Sequence, residues 1–147
     1  MRLWHYKLLK YLPKSQLIAQ WRELNSIFKK QDKHILINYV YEYPKVNLLF
    51  YSYMVIFALH NRGYKIKSYC NFNNYFIDVT FREFDDNIDL LANNPFPNHH
   101  NFRYFLQCYY NLQEKYDRGQ KDFDEETYIK LASLVEEQIK AIDDWKF

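Results

Sequence analysis

The sequence contains only two glycines among its 147 residues, and this scarcity limits the folds that the chain can adopt. Tight turns between short strands commonly use glycine, so such a sequence favours long helices. Gly63 and Gly119 each follow a stretch of helical patterning, where a glycine in the left-handed conformation commonly ends a helix. We therefore predict a mainly α fold, with residues 1–147 in a single compact domain of about four helices joined by irregular connections.

The spacing of apolar residues predicts where the four helices lie. Pro13 suits the first turn of a helix, and a one-sided apolar stripe follows it over residues 14–30. Residues 46–62 are apolar on nearly every face, which is typical of a central buried helix. A third helix is predicted over residues 102–116, and Asp124 is a candidate amino-terminal cap for the fourth. The inward residues of that last helix are predicted to be Tyr128, Leu131, Val135, Ile139 and Ile142.

The segments between these helices predict less regular structure. Residues 37–43 alternate weakly before a proline, and they predict either a short extended piece or a loop. Residues 68–100 are rich in Asn, Asp, Phe and Pro, so we expect short pieces and loops there, with a helical turn at residues 86–91.

Charge is distributed unevenly along the chain, although the formal net charge is only +2. Residues 1–34 contain eight lysines and arginines against two acidic residues, whereas residues 111–147 contain six basic and ten acidic residues. A basic amino-terminal quarter is a candidate binding surface for a polyanion such as a nucleic acid. The same composition occurs on an ordinary solvated helix face, so charge alone leaves both interpretations open.

Composition and spacing exclude several classes of protein and site. The two cysteines, Cys70 and Cys108, are too few for a disulfide framework, which favours a reducing compartment such as the cytoplasm. No signal peptide is recognisable, and the longest nearly apolar run, residues 48–59, is shorter than the roughly 20 residues of a membrane span. Because the glycines are isolated and His99, His100 and Cys108 lack ligand spacing, we expect no cofactor and no metal.

A few side chains are candidates for chemistry. Arg22 and Glu23 are adjacent, and they are either a surface ion pair or a carboxyl group that acts as acid or base in a cationic groove. His34 follows Lys33 in a basic stretch. The 15 tyrosines are either core residues or surfaces on which nucleobases stack. Residue types alone leave a structural and a functional interpretation open for each of these groups.

The order and spacing of several motifs resemble those of the pyrimidine-dimer DNA glycosylases of the phage endonuclease V type. The first motif covers residues 17–24 and reads LIAQWREL, and Phe28 and the pair Lys33-His34 follow it. Residues 1–5, MRLWH, are similar to the opening of the bacterial branch of that family.

Two later segments are also similar to the phage pattern, and two positions differ from it. It continues at residues 61–64, where the predicted buried helix ends in NRGY, and more faintly at residues 112–115, LQEK. Ser26 and Asn111 stand where the phage pattern has arginines. The last helix, within residues 125–147, extends past the phage pattern as a carboxyl-terminal helical extension.

The resemblance implies a DNA repair glycosylase with abasic-site lyase activity on damaged pyrimidines. In that family the amino-terminal α-amine attacks C1′ of the damaged nucleotide and forms a Schiff base, and a glutamate assists cleavage and β-elimination. An α-amine suits this work because its ordinary pKa, about 7.7–8.0, leaves more neutral form at pH 7 than a lysine amine has. The corresponding groups here are the amine of Met1, since methionine is not usually removed before a residue as large as Arg2, and the carboxyl of Glu23.

The resemblance also implies a set of DNA contacts. Arg2 and Arg22 would contact the lesion strand, and Lys33, His34 and Lys115 would lie near phosphates. The expected partner is damaged double-stranded DNA, bound by a monomer in the cytoplasm, at the nucleoid, without metal, cofactor or membrane. Two alternatives stay open: a non-catalytic DNA- or RNA-binding module on the same scaffold, and an interaction protein whose acidic last helix docks a partner.

Overall fold

The computed structural model describes residues 1–31 and 33–142, in which helices are joined by turns and loops and no strand occurs. The α-helices of these residues are α1 (Lys14–Lys30), α2 (Lys45–Asn61), α3 (Cys70–Tyr75), α4 (Phe81–Asp86), α5 (Phe102–Asp117) and α6 (Glu125–Lys140), and the 3₁₀ helices are Tyr6–Tyr11, Asn38–Glu42 and Ile88–Leu91. Four long helices, α1, α2, α5 and α6, confirm the predicted mainly α single domain. The part of the predicted last helix that falls on residues 143–147 lies outside the described residues.

The connection between α2 and α5 contains short pieces, as predicted. Helices α3 and α4 have six residues each, and the helical turn expected at residues 86–91 is the 3₁₀ helix Ile88–Leu91. None of the helices in the described part of the chain combines the length and the apolar character that crossing a membrane requires.

Helices α1 and α2 pack against each other at the centre of the fold. Helix α1 begins directly after Pro13, and its apolar stripe is buried, as predicted. It ends where Gln31 adopts a left-handed conformation and donates its N–H to the Ile27 carbonyl at 2.8 Å. Helix α2 is buried along most of its length, because it is apolar on nearly every face and is surrounded by other elements.

The two glycines end α2 and α5, as the sequence predicts. Gly63 and Gly119 have φ angles of +73° and +80°, in the left-handed region that residues with a Cβ atom avoid. After Gly63 the Tyr64 N–H donates to the Leu59 carbonyl at 3.0 Å, which satisfies one of the free carbonyls at the end of α2.

Residues 38–42 form a 3₁₀ helix, so the prediction of an extended piece or a loop over residues 37–43 is wrong. Ile37 and Val40 are both buried, with exposures of 0% and 4%. This spacing of three residues matches a 3₁₀ turn, where the side chains at i and i+3 lie above each other. The weak alternation of the sequence comes from tyrosines around them, which are exposed or half-buried.

Helix α6 begins as predicted and departs from the prediction at its end. The Asp124 carboxylate accepts a backbone N–H of the first turn at 2.7 Å, so the predicted cap is confirmed. Leu131 and Val135 are buried, but Ile139 and Ile142 are 48% and 37% exposed, and their predicted inward position is wrong. The reason is that α6 packs against α5 and the first 3₁₀ helix, and its last turn extends beyond the core.

The first residues of the chain pass through the core, and this placement positions the functional site. Leu3 and Trp4 are buried. The Trp4 N–H donates to Gln20 Oε1 of α1 at 2.7 Å, and the Tyr51 hydroxyl of α2 donates to the Trp4 carbonyl at 2.6 Å. The Tyr104 hydroxyl of α5 donates to the Leu3 carbonyl. Side chains from three helices thus satisfy backbone groups that no helix or sheet satisfies.

Two fully buried histidines, His5 and His100, join this segment to the loop before α5. His5 Nε2 donates to the His100 carbonyl at 2.9 Å, and the Nδ1 atoms of His5 and His100 accept the N–H groups of Lys7 and Tyr6, each at 3.2 Å. Burial lowers the pKa of His5 to about 3 and the pKa of His100 well below its ordinary value. Both rings are therefore neutral at pH 7, and protonation of either Nδ1 would remove a hydrogen-bond acceptor.

We expect the free energy of unfolding to fall as the pH drops below about 6.5, because His5 and His100 bind protons in the unfolded chain and not in the folded one. His5 loses at most about 1.4 kcal/mol of stabilisation per pH unit below that value, or about 2 kcal/mol between pH 7 and pH 5, and His100 adds a loss in the same direction. Urea unfolding at pH 7, 6 and 5 measures this dependence. Equal stability at pH 7 and pH 5 would contradict the account.

Candidate active site

The amino terminus meets α1 and α5 at a cleft of about 310 Å³, here termed the Glu23 cleft. Four of the residues predicted to act in the site line it: Met1, Arg2, Glu23 and Lys115. The other lining residues are Trp4, Gln16, Ala19, Leu36 and Asn111. Among these described lining residues, Glu23 has the one acidic side chain. The structure therefore brings the amino terminus, a carboxyl group and two basic side chains to the same place.

Glu23 is half-buried on α1 and lines the cleft. Gln20 Nε2 donates to Glu23 Oε2 at 3.1 Å, and the backbone of Arg2 forms a further hydrogen bond with the carboxylate. Burial raises the pKa of the Glu23 carboxyl, and the charges of the amino terminus and Arg22 act in the opposite direction, as do the hydrogen bonds. A carboxyl with a raised pKa is suited to proton transfer.

Gln20 is fully buried, and both ends of its amide form hydrogen bonds. Its Nε2 donates to the Arg2 carbonyl at 3.0 Å and to Glu23 Oε2 at 3.1 Å. Its Oε1 accepts the Trp4 N–H at 2.7 Å, and the Tyr51 hydroxyl, whose hydrogen is shared with the Trp4 carbonyl, lies 3.0 Å away. One side chain therefore holds the amino-terminal backbone and the Glu23 carboxyl in a common position.

Gln20 was not among the residues predicted from the sequence, although its position on α1 indicates that its side chain is buried. It lies three residues after Leu17 and four residues before Leu24, and both of these leucines are fully buried on the apolar stripe of α1. A polar residue at such a position enters the core, where its amide needs partners at both ends. The identity of those partners depends on the tertiary fold.

Arg2 connects the cleft to α5. Its guanidinium carbon lies 6.0 Å from the centre of the Trp4 ring, and its side chain forms a hydrogen bond with the Cys108 thiol. Burial raises the pKa values of Tyr104 and Cys108, and the positive charge of Arg2 partly opposes this effect. Lys115 lies further along α5 and adds a second basic side chain to the lining.

Arg22, Lys33 and His34 are exposed and do not line the Glu23 cleft. Arg22 precedes Glu23 on α1, and its charge acts on that carboxyl. His34 lies in the loop after α1, where its Nδ1 accepts the N–H of Leu36 at 3.2 Å, and Leu36 itself lines the cleft. The structure therefore does not bring these three predicted DNA-contact residues into the cleft.

The chemistry available in this cleft is that of an amine and a carboxyl group. An amine can act as a nucleophile and a carboxyl can transfer protons. Basic side chains around them attract an anionic substrate. Within residues 1–31 and 33–142, no three His, Cys, Asp or Glu side chains are grouped so that they could hold a metal ion.

The part of the chain that forms most of this cleft also carries the similarity to known proteins. Residues 1–72 match the family model of the pyrimidine dimer DNA glycosylases. The match covers 72 of the 147 residues, and it includes every predicted site residue except Lys115, which lies beyond it on α5. The chain matches no curated protein and no solved structure.

We expect Gln20→Leu to lower the free energy of unfolding by about 3 kcal/mol, because it leaves the buried Trp4 N–H and the Arg2 carbonyl without their partner. Gln16→Leu is the matched control, since Gln16 lies one turn earlier on α1 and donates one hydrogen bond, at 3.3 Å, to Gln120. It should cost less than about 1 kcal/mol. Urea unfolding measures the stability of both variants. Equal losses of unfolding free energy would contradict the role of the Gln20 amide in holding the amino-terminal backbone.

Proposed function

We propose that this protein is a pyrimidine dimer DNA glycosylase with abasic-site lyase activity, and that the α-amine of Met1 and the carboxyl of Glu23 carry the reaction. The observation that carries the proposal is their shared cleft, in which the charge of the amino terminus acts on the Glu23 carboxyl. A nucleophile and a proton-transfer group must act at one reacting centre. The family match over residues 1–72 supports a glycosylase function.

The first stage of the proposed reaction separates the damaged base from its sugar. The neutral amine of Met1 attacks C1′, the C1′–N bond breaks, and the base leaves with the electron pair of that bond. The amine loses one proton and the departing base gains one. Glu23 is suited to this transfer, because burial raises the pKa of its carboxyl and so favours the proton-bearing form.

The second stage opens the sugar and cuts the strand. The C1′–O4′ bond breaks, O4′ takes up a proton, and an iminium forms between the Met1 nitrogen and C1′. The Glu23 carboxylate then removes a proton from C2′, and the C3′–O3′ bond breaks with departure of the 3′ phosphate. Water hydrolyses the imine and frees the amine. These steps use no group beyond the chain, the DNA and water.

The placement of the first four residues supports a role for the α-amine of Met1 as the nucleophile. Met1 and Arg2 are half-buried at the cleft, whereas the following residues, Leu3 and Trp4, are buried and hydrogen-bonded to three helices. The amine is thus only two residues from a part of the backbone that is held in the core. A nucleophile held near its target needs to lose less entropy on the way to the transition state.

The basic side chains support duplex DNA as the substrate. Arg2 and Lys115 line the cleft, and Arg22, Lys33 and His34 are exposed on α1 and in the loop that follows it. Contacts between such side chains and phosphates make affinity fall steeply with salt concentration. Attack at C1′ also requires distortion of the duplex or flipping of a nucleotide, which costs a few kcal/mol, and contacts to the distorted backbone offset part of that cost.

The oligomeric state and the cellular location of the protein are also part of the proposal. Residues 1–5 favour the bacterial branch of the family, and we propose a monomer that acts on damaged DNA of the nucleoid in the cytoplasm. Both cysteines are free thiols, Cys70 exposed and Cys108 buried, which suits a reducing compartment.

We expect the wild-type chain to form a covalent adduct with duplex DNA that contains an abasic site when borohydride is present, because borohydride reduces the iminium to a stable amine. Acetylation of the amino terminus should abolish this adduct. Glu23→Gln should nick the same duplex at least about 100-fold more slowly, since a positioned acid–base group contributes about 10²–10⁴ in rate.

Glu126→Gln is the matched control for the loss of a glutamate. Glu126 is exposed on α6, where it forms an ion pair with Lys130 at 3.3 Å, and its variant should nick at the wild-type rate. An adduct that survives acetylation would place the Schiff base on a lysine and reject Met1. Intact DNA binding without any adduct would reject the lyase and favour a non-catalytic DNA-binding module.

A further inference from the structure

Two backbone groups that follow the candidate nucleophile are held by side chains of α5 and of the loop before it. The Tyr104 hydroxyl of α5 donates to the Leu3 carbonyl, and the Tyr6 N–H donates to His100 Nδ1 at 3.2 Å. The backbone of residues 3–6 is therefore held at both of its ends. These contacts are additional to those that the Gln20 amide makes with the same part of the chain.

A third side chain, that of Tyr39, connects the two contacts. Its hydroxyl lies 2.7 Å from His100 Nε2 and forms a hydrogen bond with the Tyr104 hydroxyl. We term His100, Tyr39 and Tyr104 together the tyrosine chain. Its members come from the loop before α5, from the 3₁₀ helix Asn38–Glu42 and from α5. A continuous series of hydrogen bonds thus leads from the Tyr6 N–H to the Leu3 carbonyl.

The position of one hydrogen on the His100 ring decides the direction of the tyrosine chain. Nδ1 of the neutral ring accepts the Tyr6 N–H, so the ring hydrogen is on Nε2 and is donated to the Tyr39 oxygen. The Tyr104 hydroxyl gives its hydrogen to the Leu3 carbonyl. The Tyr39 hydroxyl therefore donates to the Tyr104 oxygen. This one arrangement of hydrogens satisfies every donor in the series.

Burial stabilises the tyrosine chain in this arrangement. His100 is fully buried, and Tyr39 and Tyr104 are half-buried. Desolvation raises the pKa values of both tyrosines, so both hydroxyls keep their hydrogens at neutral pH. The Tyr39 ring also stacks on that of His99, with 4.7 Å between the centroids, and meets Phe96 edge to face. A buried polar network whose members are all satisfied is rigid.

The Leu3 carbonyl connects this rigid network to the amine. Only the backbone rotations of Met1, Arg2 and Leu3 separate the two groups, so a fixed carbonyl limits the positions that the amine can take. The Glu23 carboxylate is hydrogen-bonded to the backbone of Arg2. A rotation at Leu3 would move the amine relative to that carboxylate, and a displacement of about 1 Å can cost about 10²-fold in rate.

We propose that Tyr104 and Tyr39 are positioning residues for the α-amine of Met1, and that their hydroxyls hold the amine at the reacting centre by fixing the Leu3 carbonyl. The inference rests on the proposed function, which makes this amine the nucleophile. Both hydroxyls act through the backbone and not on the DNA. Loss of either hydroxyl therefore slows the chemical step and leaves the affinity for DNA unchanged.

The test separates the rate of the bound complex from the affinity for DNA. Nicking of an abasic duplex is measured in single turnover at saturating protein, and Kd is measured with a tetrahydrofuran analogue, which cannot form a Schiff base. We expect Tyr104→Phe to nick at least about tenfold more slowly, with Kd within about twofold of the wild-type value. Tyr39→Phe is the second variant, and it should show a smaller reduction because the bond between Tyr104 and Leu3 remains. Urea unfolding establishes that each variant is folded.

Tyr109→Phe is the matched control for the loss of a tyrosine hydroxyl from α5. Tyr109 is half-buried, and its hydroxyl lies 3.4 Å from the Tyr128 hydroxyl of α6. The substitution weakens a contact between α5 and α6 and leaves the tyrosine chain intact, so the variant should nick at the wild-type rate. Equal reductions in Tyr109→Phe and Tyr104→Phe would show a general effect on α5 and would overturn the proposal.

The double variant Tyr39→Phe/Tyr104→Phe tests whether the two hydroxyls act in series. Because Tyr39 acts through the Tyr104 oxygen, the double variant should be no slower than Tyr104→Phe. Reductions that multiply would overturn the series, and a weaker Kd at an unchanged rate would place Tyr104 on the DNA and overturn its positioning role.

Failure of this inference can be distinguished from failure of the proposed function. If the wild type nicks and forms the borohydride adduct but Tyr104→Phe and Tyr39→Phe have the wild-type rate, the positioning role alone is overturned. If the wild type forms no adduct, the lyase reaction is rejected, and the positioning role is rejected with it.

Discussion

The buried amide of Gln20 joins the start of the chain to the first long helix, and the geometry of the site follows from this junction. It donates to the Arg2 carbonyl and to the Glu23 carboxylate, and it accepts the Trp4 N–H. Without these bonds the amino-terminal backbone would enter the core with unpaired polar groups, which is costly. Because the same side chain contacts both the segment that carries the amine and the carboxyl group, the packing of the core also arranges the candidate catalytic groups.

Glu23 shows how a candidate catalytic group can lower the stability of the folded chain. Burial raises the pKa of its carboxyl, so between the ordinary pKa and the raised one the folded chain binds more protons than the unfolded chain. Stability therefore falls as the pH rises through this range. An apolar residue at this edge of the α1 stripe would avoid that loss. A carboxyl at this half-buried position, beside an amine and basic side chains, is unfavourable for packing. Such a residue is expected where function rather than packing determines the side chain.

The fold was largely predictable because helices depend on local patterns. Pro13 and the apolar stripe after it define α1, and Gly63 and Gly119 mark the ends of α2 and α5. The 3₁₀ helix Asn38–Glu42 was not predicted, because a single turn contains too few residues to establish a period. The exposure of Ile139 depends on where the core ends, which is a property of the assembled fold.

Some of the residues that line the candidate cleft could be predicted from the sequence, and the geometry of the cleft could not. Met1 and Glu23 could be predicted from motif order, but their meeting with Lys115 requires α5 to pack beside the amino terminus. The role of Gln20 depends on the hydroxyl of Tyr51 on the largely apolar helix α2, and no local pattern links these two residues. Tertiary contacts therefore decide which of the polar residues on buried faces belong to the site.

The central claim is that the amino terminus, rather than a lysine, bonds to the DNA. The most direct measurement is to digest the borohydride-trapped complex with a protease and with nuclease, and to locate the sugar remnant by mass spectrometry. The account predicts the remnant on the α-nitrogen of Met1. A remnant on the side chain of Lys115, which lines the same cleft, or on that of Lys7 would contradict it.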